Sequence, residues 1–153
     1  MLFRSVLAAI AFVVPLRFGA APESAVISGG TAGEIEWRPF DLAAIRERVY
    51  DGQVVLVDVT AEWCLTCKIN KALVLTRGDV GQTLAAGRVI AVRADWTRPD
   101  DRISAYLASF GRYGIPFNAV YGPGAPNGTA LPELLTSEVV LAAFARAAAP
   151  GGR

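Results

Sequence analysis

The sequence predicts an α/β domain in which a central mixed β-sheet carries helices on both faces. Three observations carry that reading. Residues 54–60 (VVLVDVT) form a β-branched, apolar run of strand length, as a central strand buried on both faces requires. Capping residues stand before helix-period apolar stripes at Asp41, at Asp100 or Asp101, and at Thr136. Strand-like and helix-like stretches alternate in the order (β)αβαβαββα, without an internal repeat.

In chain order, Ile35 and Trp37 alternate within residues 34–40 and read as an edge strand. Asp41 caps a helix over residues 42–50, with Leu42, Ile45 and Val49 on one face, and Asp51-Gly52 stops it. The central strand is followed by AEWCLTCK at 61–68 and by helix-compatible sequence to about Ala86, whose middle Gly78 and Gly81 weaken. Residues 88–95 (RVIAVRAD) are a strand. The next helix buries Ile103, Leu107 and Phe110 and ends at Gly111 and Gly114. Residues 117–121 are a strand, 122–128 a Gly/Pro turn and 129–131 its hairpin partner. Thr136 caps a last helix through Val139, Val140, Leu141 and Phe144 to about Ala148.

The N-terminal stretch is different. Between Arg4 and Arg17 lie twelve uncharged, mostly apolar residues, followed by Gly19, Ala20 and Ala21. A membrane span needs about 20 apolar residues and a signal-peptide core about 7–15. Length and flanks favour an export signal cut near Ala20 or Ala21. The competing reading is an uncleaved anchor or the remnant of a longer protein's last span; Pro15 and Arg17 argue against a core helix. Residues 1–21 are thus a signal peptide or membrane anchor. Residues 22–33, rich in Gly, Ser, Ala and Pro, are a flexible linker, and residues 34–149 are the domain. Either reading of 1–21 puts the domain outside the cytoplasm, where disulfide chemistry is allowed.

Composition narrows the chemistry. Fifteen Lys and Arg face fourteen Asp and Glu, a net charge of +1, so nothing indicates nucleic acid as a partner. There is no histidine, which removes Ser-His and Cys-His catalysis and every His-ligated metal site. With only two cysteines, a thiolate metal site would need a second chain, and no other cofactor motif is present.

The chemistry-bearing signal is Cys64-Leu65-Thr66-Cys67 at the start of a helix. Cysteines three apart share one turn and are close enough to form a disulfide. The first, near the helix N-terminus, has its thiolate stabilised by unpaired amides and becomes an exposed attacker; the second, one turn in, is more buried and resolves the mixed disulfide. The strand before and helix after favour redox exchange over a metal site or a structural staple. Asp58 interrupts the apolar strand six residues before Cys64. A carboxylate there is costly, which favours a buried proton acceptor for Cys67 over a solvated side chain at the sheet edge. Trp63 adjoins the motif and is either packing or partner-binding. Pro116 opens a strand, where it cannot donate to the ladder. A cis Ile115-Pro116 bond would set the Ile115 backbone beside the cysteines, free to pair with a bound peptide; an ordinary trans strand-entry proline is the alternative.

Val57-Asp58, Ala61-Glu62-Trp63-Cys64, Cys67-Lys68 and Gly114-Ile115-Pro116 resemble the thioredoxin superfamily. The segments TAEWCLTCKIN at 60–70, RADWT at 93–97, FGRYGIP at 110–116, VYGPG at 120–124 and LPELLT at 131–136 resemble, within it, the C-terminal thioredoxin-like domain of the thiol:disulfide interchange protein DsbD. The likeness covers roughly residues 35–148. It implies a thioredoxin fold without a cofactor, acting through a redox-active Cys64–Cys67 disulfide. Cys64 is then the nucleophile, Cys67 the resolving thiol, Asp58 the buried acid and Pro116 the cis-proline, with Trp63 and Ile115 meeting the partner. It further implies a periplasmic reductase that takes electrons from a membrane donor and passes them to thioredoxin-like partners. Two positions depart from the pattern: Lys71, where members often carry an acid, and Phe117, where thioredoxins usually have threonine. A cation at 71 lowers a thiol pKa. The alternatives are a cytochrome c maturation thioredoxin that reduces apocytochrome thiols, and a non-catalytic adaptor with a structural disulfide.

Overall fold

The computed structural model describes residues 33–151. The signal or anchor expected at 1–21 and nearly all of the 22–33 linker lie outside the described residues. Five strands form one sheet: β1 (Trp37–Pro39), β2 (Val55–Thr60), β3 (Ile90–Asp95), β4 (Phe117–Gly122) and β5 (Ala125–Ala130). Their order is β1-β3-β2-β4-β5. β3 runs parallel to β1 and β2, while β4 runs antiparallel to β2 and β5. The sheet is therefore mixed, as predicted.

The caps act where the sequence placed them. The Ala43 and Ala44 amides donate to Asp41 Oδ1 at 2.8 and 3.2 Å and start α1 (Leu42–Tyr50). Of the two candidates for the next cap, Asp100 is used: it accepts from the Arg102 and Ile103 amides and starts α4 (Asp101–Ser109). Thr136 Oγ1 accepts from Val139 and starts α5 (Ser137–Ala148).

Every residue of β2 is buried. Its odd-numbered side chains face a core with Ile45 of α1 and Ile103, Tyr106 and Leu107 of α4. Leu56 faces the opposite core, built with Leu75, Val80, Leu84, Val140 and Phe144. A fully buried aliphatic side chain contributes about 1.5–3 kcal/mol, so the central strand anchors both layers and fixes where the following loop emerges. Among the described residues no helix is long and apolar enough to cross a membrane.

Two expectations are corrected. The single helix expected after the cysteines is three pieces: α2 (Leu65–Asn70), a π-helical turn over Lys71–Leu75, and α3 (Gly78–Ala85). Thr76 closes the turn by donating twice to the Lys71 carbonyl, from its amide at 3.0 Å and its hydroxyl at 2.9 Å. Arg77 is then extended and breaks the run, and Gly78, at a left-handed φ of 54°, opens α3. The turn expected over 122–128 is also shorter, because β5 already begins at Ala125. Pro126 and Gly128 are poor strand formers, but β5 pairs on one side only, so the missing proline N–H costs no ladder bond. At the start of this hairpin, Gly122 lies directly against the backbone of Ala147 in α5.

Candidate active site

β2 delivers the chain into the loop that carries the cysteines. Cys64 and Cys67 form a disulfide with Cα atoms 5.3 Å apart. Cys64 is itself the N-cap of α2, and its Sγ accepts the Cys67 amide at 3.2 Å. A backbone N–H aimed at this sulfur is the kind of donor that favours a charged acceptor, since a charge-assisted bond is stronger than a neutral one. Cys64 is the more open cysteine, with 6% of its surface exposed against 2% for Cys67. The wider exposure expected of the attacker is absent because Ala61 and Ile115 pack against the pair.

The rim of the site is apolar and exposed. Trp63 is 63% exposed, and its indole N–H donates to the Thr97 carbonyl at 3.2 Å. Thr97 Oγ1 also accepts from the Glu62 amide at 2.9 Å, so one residue after β3 holds the segment leading into the motif. Leu65 projects from α2 beside it. On the other side stands Ile115, and the Ile115-Pro116 peptide is cis.

On β2, six residues before Cys64, Asp58 is 3% exposed. Burial pushes its carboxyl above the usual carboxylate range, against the pull of Asn118, Lys71 and Arg93. Asn118 Nδ2 donates to Oδ1 at 2.9 Å, while Oδ2 has no hydrogen-bond partner. The solvated alternative for Asp58 is thereby excluded, and one oxygen is free to take a proton. Asn118 was missed by sequence reasoning. Its signal is the one that marked Asp58, a lone polar residue in an apolar strand, and the register sets the two directly opposite each other.

Asn70 was missed as well. It is 3% exposed at the end of α2. Its Nδ2 donates to the Glu133 carbonyl at 2.7 Å, and its Oδ1 accepts from the Leu135 amide at 3.1 Å. Glu133 also pairs with Arg112 at 2.8 Å, three residues before Ile115. One asparagine thus ties the cysteine helix to the loop before α5, and the ion pair ties that loop to the segment before the cis peptide.

A family model described as Thioredoxin-like matches residues 38–123, more than half of the chain. The chain belongs to the thioredoxin-like family. Thiol:disulfide interchange protein DsbD 1 of Pseudomonas aeruginosa is 33% identical over 82 residues. That match is 54% of this chain and 14% of the relative, so the chain spans a small part of that protein's length. The reduced C-terminal domain of Neisseria meningitidis DsbD superposes with a TM-score of 0.55 at 21% identity, over 72% of this chain and 99% of that domain. A thioredoxin from Thermus thermophilus gives 0.58 at 19% identity, over 78% and 92%. The fold is thus the thioredoxin fold. With its Cys64–Cys67 pair, the chain falls among the thioredoxin-like thiol:disulfide oxidoreductases, with similarity to DsbD.

Proposed function

We propose that this thioredoxin-like protein is an extracytoplasmic protein-disulfide reductase that relays electrons through Cys64 and Cys67. The observation that carries the reading is the make-up of the site: a disulfide at a helix start, Cys64 nearer the surface, Cys67 deeper, and a buried carboxylate with a free oxygen on the strand that leads into the motif. In the reduced protein, the Cys64 thiolate attacks a partner disulfide; one partner sulfur leaves as a thiolate and a mixed disulfide forms. Cys67 loses its proton to Asp58, attacks Cys64 Sγ and expels the second partner sulfur. Two electrons pass to the partner and the Cys64–Cys67 disulfide is regenerated. Trp63, Ile115 and Pro116 form the surface against which the partner chain lies.

The similarity to DsbD supports the reducing direction and a periplasmic setting, with residues 1–21 as export signal or inner-membrane anchor, 22–33 as tether and 34–149 as the working domain. The partners are then thiols and disulfides of thioredoxin-like or apocytochrome proteins, and the donor is a membrane protein. The deciding experiment is catalysed reduction of insulin by dithiothreitol, with the potential of the pair measured against glutathione. A structural disulfide would give no rate above background.

Two further outcomes follow. In the reduced protein Cys64 should alkylate first, with an apparent pKa below about 8.5; mass mapping that finds Cys67 labelled first would reverse the assigned roles. Asp58→Asn should slow expulsion of the second partner sulfur near neutral pH and also raise stability. The sign follows from burial: a carboxyl raised in the folded state disfavours folding only once it must ionise. The gain should be absent below about pH 4, grow as pH rises through the raised folded value, and hold constant above it. Removing the buried charge should contribute about 1–3 kcal/mol, several degrees in Tm. Equal melting curves for the two proteins at pH 8 would refute the cost assigned to this carboxylate.

A further inference from the structure

Three neighbouring strands each bring one polar side chain to a single row across the sheet. Asp58 on β2 stands opposite Arg93 on β3 and opposite Asn118 on β4. Directly paired residues point to the same face of a sheet, here the face covered by the π-helical turn and by α3 and α5. The row is only partly satisfied internally: Asp58 Oδ2 and Arg93 Nε are both buried without a hydrogen-bond partner.

Lys71 opens the π-helical turn above this row. Its Nζ lies 5.5 Å from the centroid of the Trp37 ring, and Arg93 Cζ lies 4.6 Å from the same centroid. One indole on β1 therefore gathers two cations next to a single buried carboxylate. Asp95, at the exposed end of β3, is the other acid that acts on this group.

We infer that Lys71 is a positioning residue: held over Trp37 by the π-helical turn, it keeps Asp58 ionised and so able to take the Cys67 proton near neutral pH. The inference rests on Asp58 being that proton acceptor. Burial drives Asp58 toward its neutral form, and an acid already protonated cannot accept. Asn118 and the charges of Lys71 and Arg93 oppose burial. The two cations are not equivalent. A guanidinium stays charged at any working pH. The Lys71 ammonium is pushed below its ordinary range by its own burial, with Arg93 pushing the same way and Asp58 and Asp95 opposing. Lys71 is thus the counter-charge that can itself be lost as pH rises.

The test uses reduced protein mixed with 5,5′-dithiobis(2-nitrobenzoate) in stopped flow. The first thionitrobenzoate reports attack by Cys64; the second reports its displacement by Cys67. The rate of the second phase is followed from pH 5 to 9, alongside a carboxyl-carbon NMR titration of Asp58. Lys71→Gln should raise the Asp58 midpoint, and the acid limb of the second phase with it, by about one pH unit. Lys71→Arg should restore both. An Asp58 midpoint unmoved by Lys71→Gln, in a protein whose acid limb is erased by Asp58→Asn, would overturn the role of Lys71 alone. An acid limb that survives Asp58→Asn would overturn the proton-acceptor reading instead, and the inference with it.

Discussion

A Cys67→Ala variant should lose essentially all turnover in disulfide reduction while remaining folded, and should hold its partners covalently through Cys64. The side chain removed is small, 2% exposed and clustered with Ala61, Cys64 and Ile115, so truncation leaves a minor void. What disappears is the thiol that displaces the partner. Cys64 keeps the Cys67 backbone amide as its hydrogen-bond donor, because alanine retains that N–H, so attack proceeds and the mixed disulfide persists. Capture from an extracytoplasmic extract, release by reductant and identification by mass gives the partner. A DsbD-like relay should yield a polytopic membrane protein or thioredoxin-like domains. A cytochrome maturation factor should yield apocytochromes with C-x-x-C-H segments. If nothing is captured although Cys64 is reduced and alkylatable, redox exchange is not the function.

Gly122→Ala should be the most destabilising single-methyl change at the β4–α5 contact. The added Cβ would lie 2.8 Å from the Ala147 carbonyl carbon and closer still to its oxygen. That oxygen already accepts the Gly124 amide at 2.9 Å. Neither group belongs to a flexible side chain, so relief requires α5 to move off the sheet and loosen Val140, Phe144 and Ala147 in the core. Overpacking of this kind costs about 1–3 kcal/mol, and a strained hydrogen bond adds to it. The Tm should fall by about 3–10 °C. The potential of the cysteine pair should not change, because Gly122 ends the strand whose opposite end meets the site. A variant that melts with the parent would show that strand and helix are less closely apposed than described.

The legible parts of this protein were those whose physics is local. Asp41 and Thr136 announced helices because a capping side chain bonds amides two or three residues away. The cysteine pair was legible for the same reason, since one helical turn brings both sulfurs together. Asp58 stood out because a carboxylate in an apolar strand has few innocent explanations. Asn118 gave the same kind of signal within FNAVYG, but its meaning depends on a register that joins residues 60 apart. The meeting of Lys71 with Trp37 was beyond reach for a different reason. Their approach depends on the π-helical turn, a local widening that helix propensity does not encode. β5 was misjudged where propensity and pairing conflict, and the antiparallel partner decided the outcome over Pro126 and Gly128.

The Asn70 bridge sets the smallest portable unit of this redox centre. The family match stops at residue 123, and a fragment ending there would keep both cysteines, Asp58 and the cis-proline. It would lack Glu133 and Leu135, and with them both anchors of the Asn70 side chain and the counter-ion of Arg112. A graft onto another scaffold must therefore carry three discontinuous pieces: the cysteine helix, the 112–116 segment and the 131–136 loop. Swapping only that last loop between relatives becomes a way to retune the mouth of the site while leaving its sulfur chemistry intact.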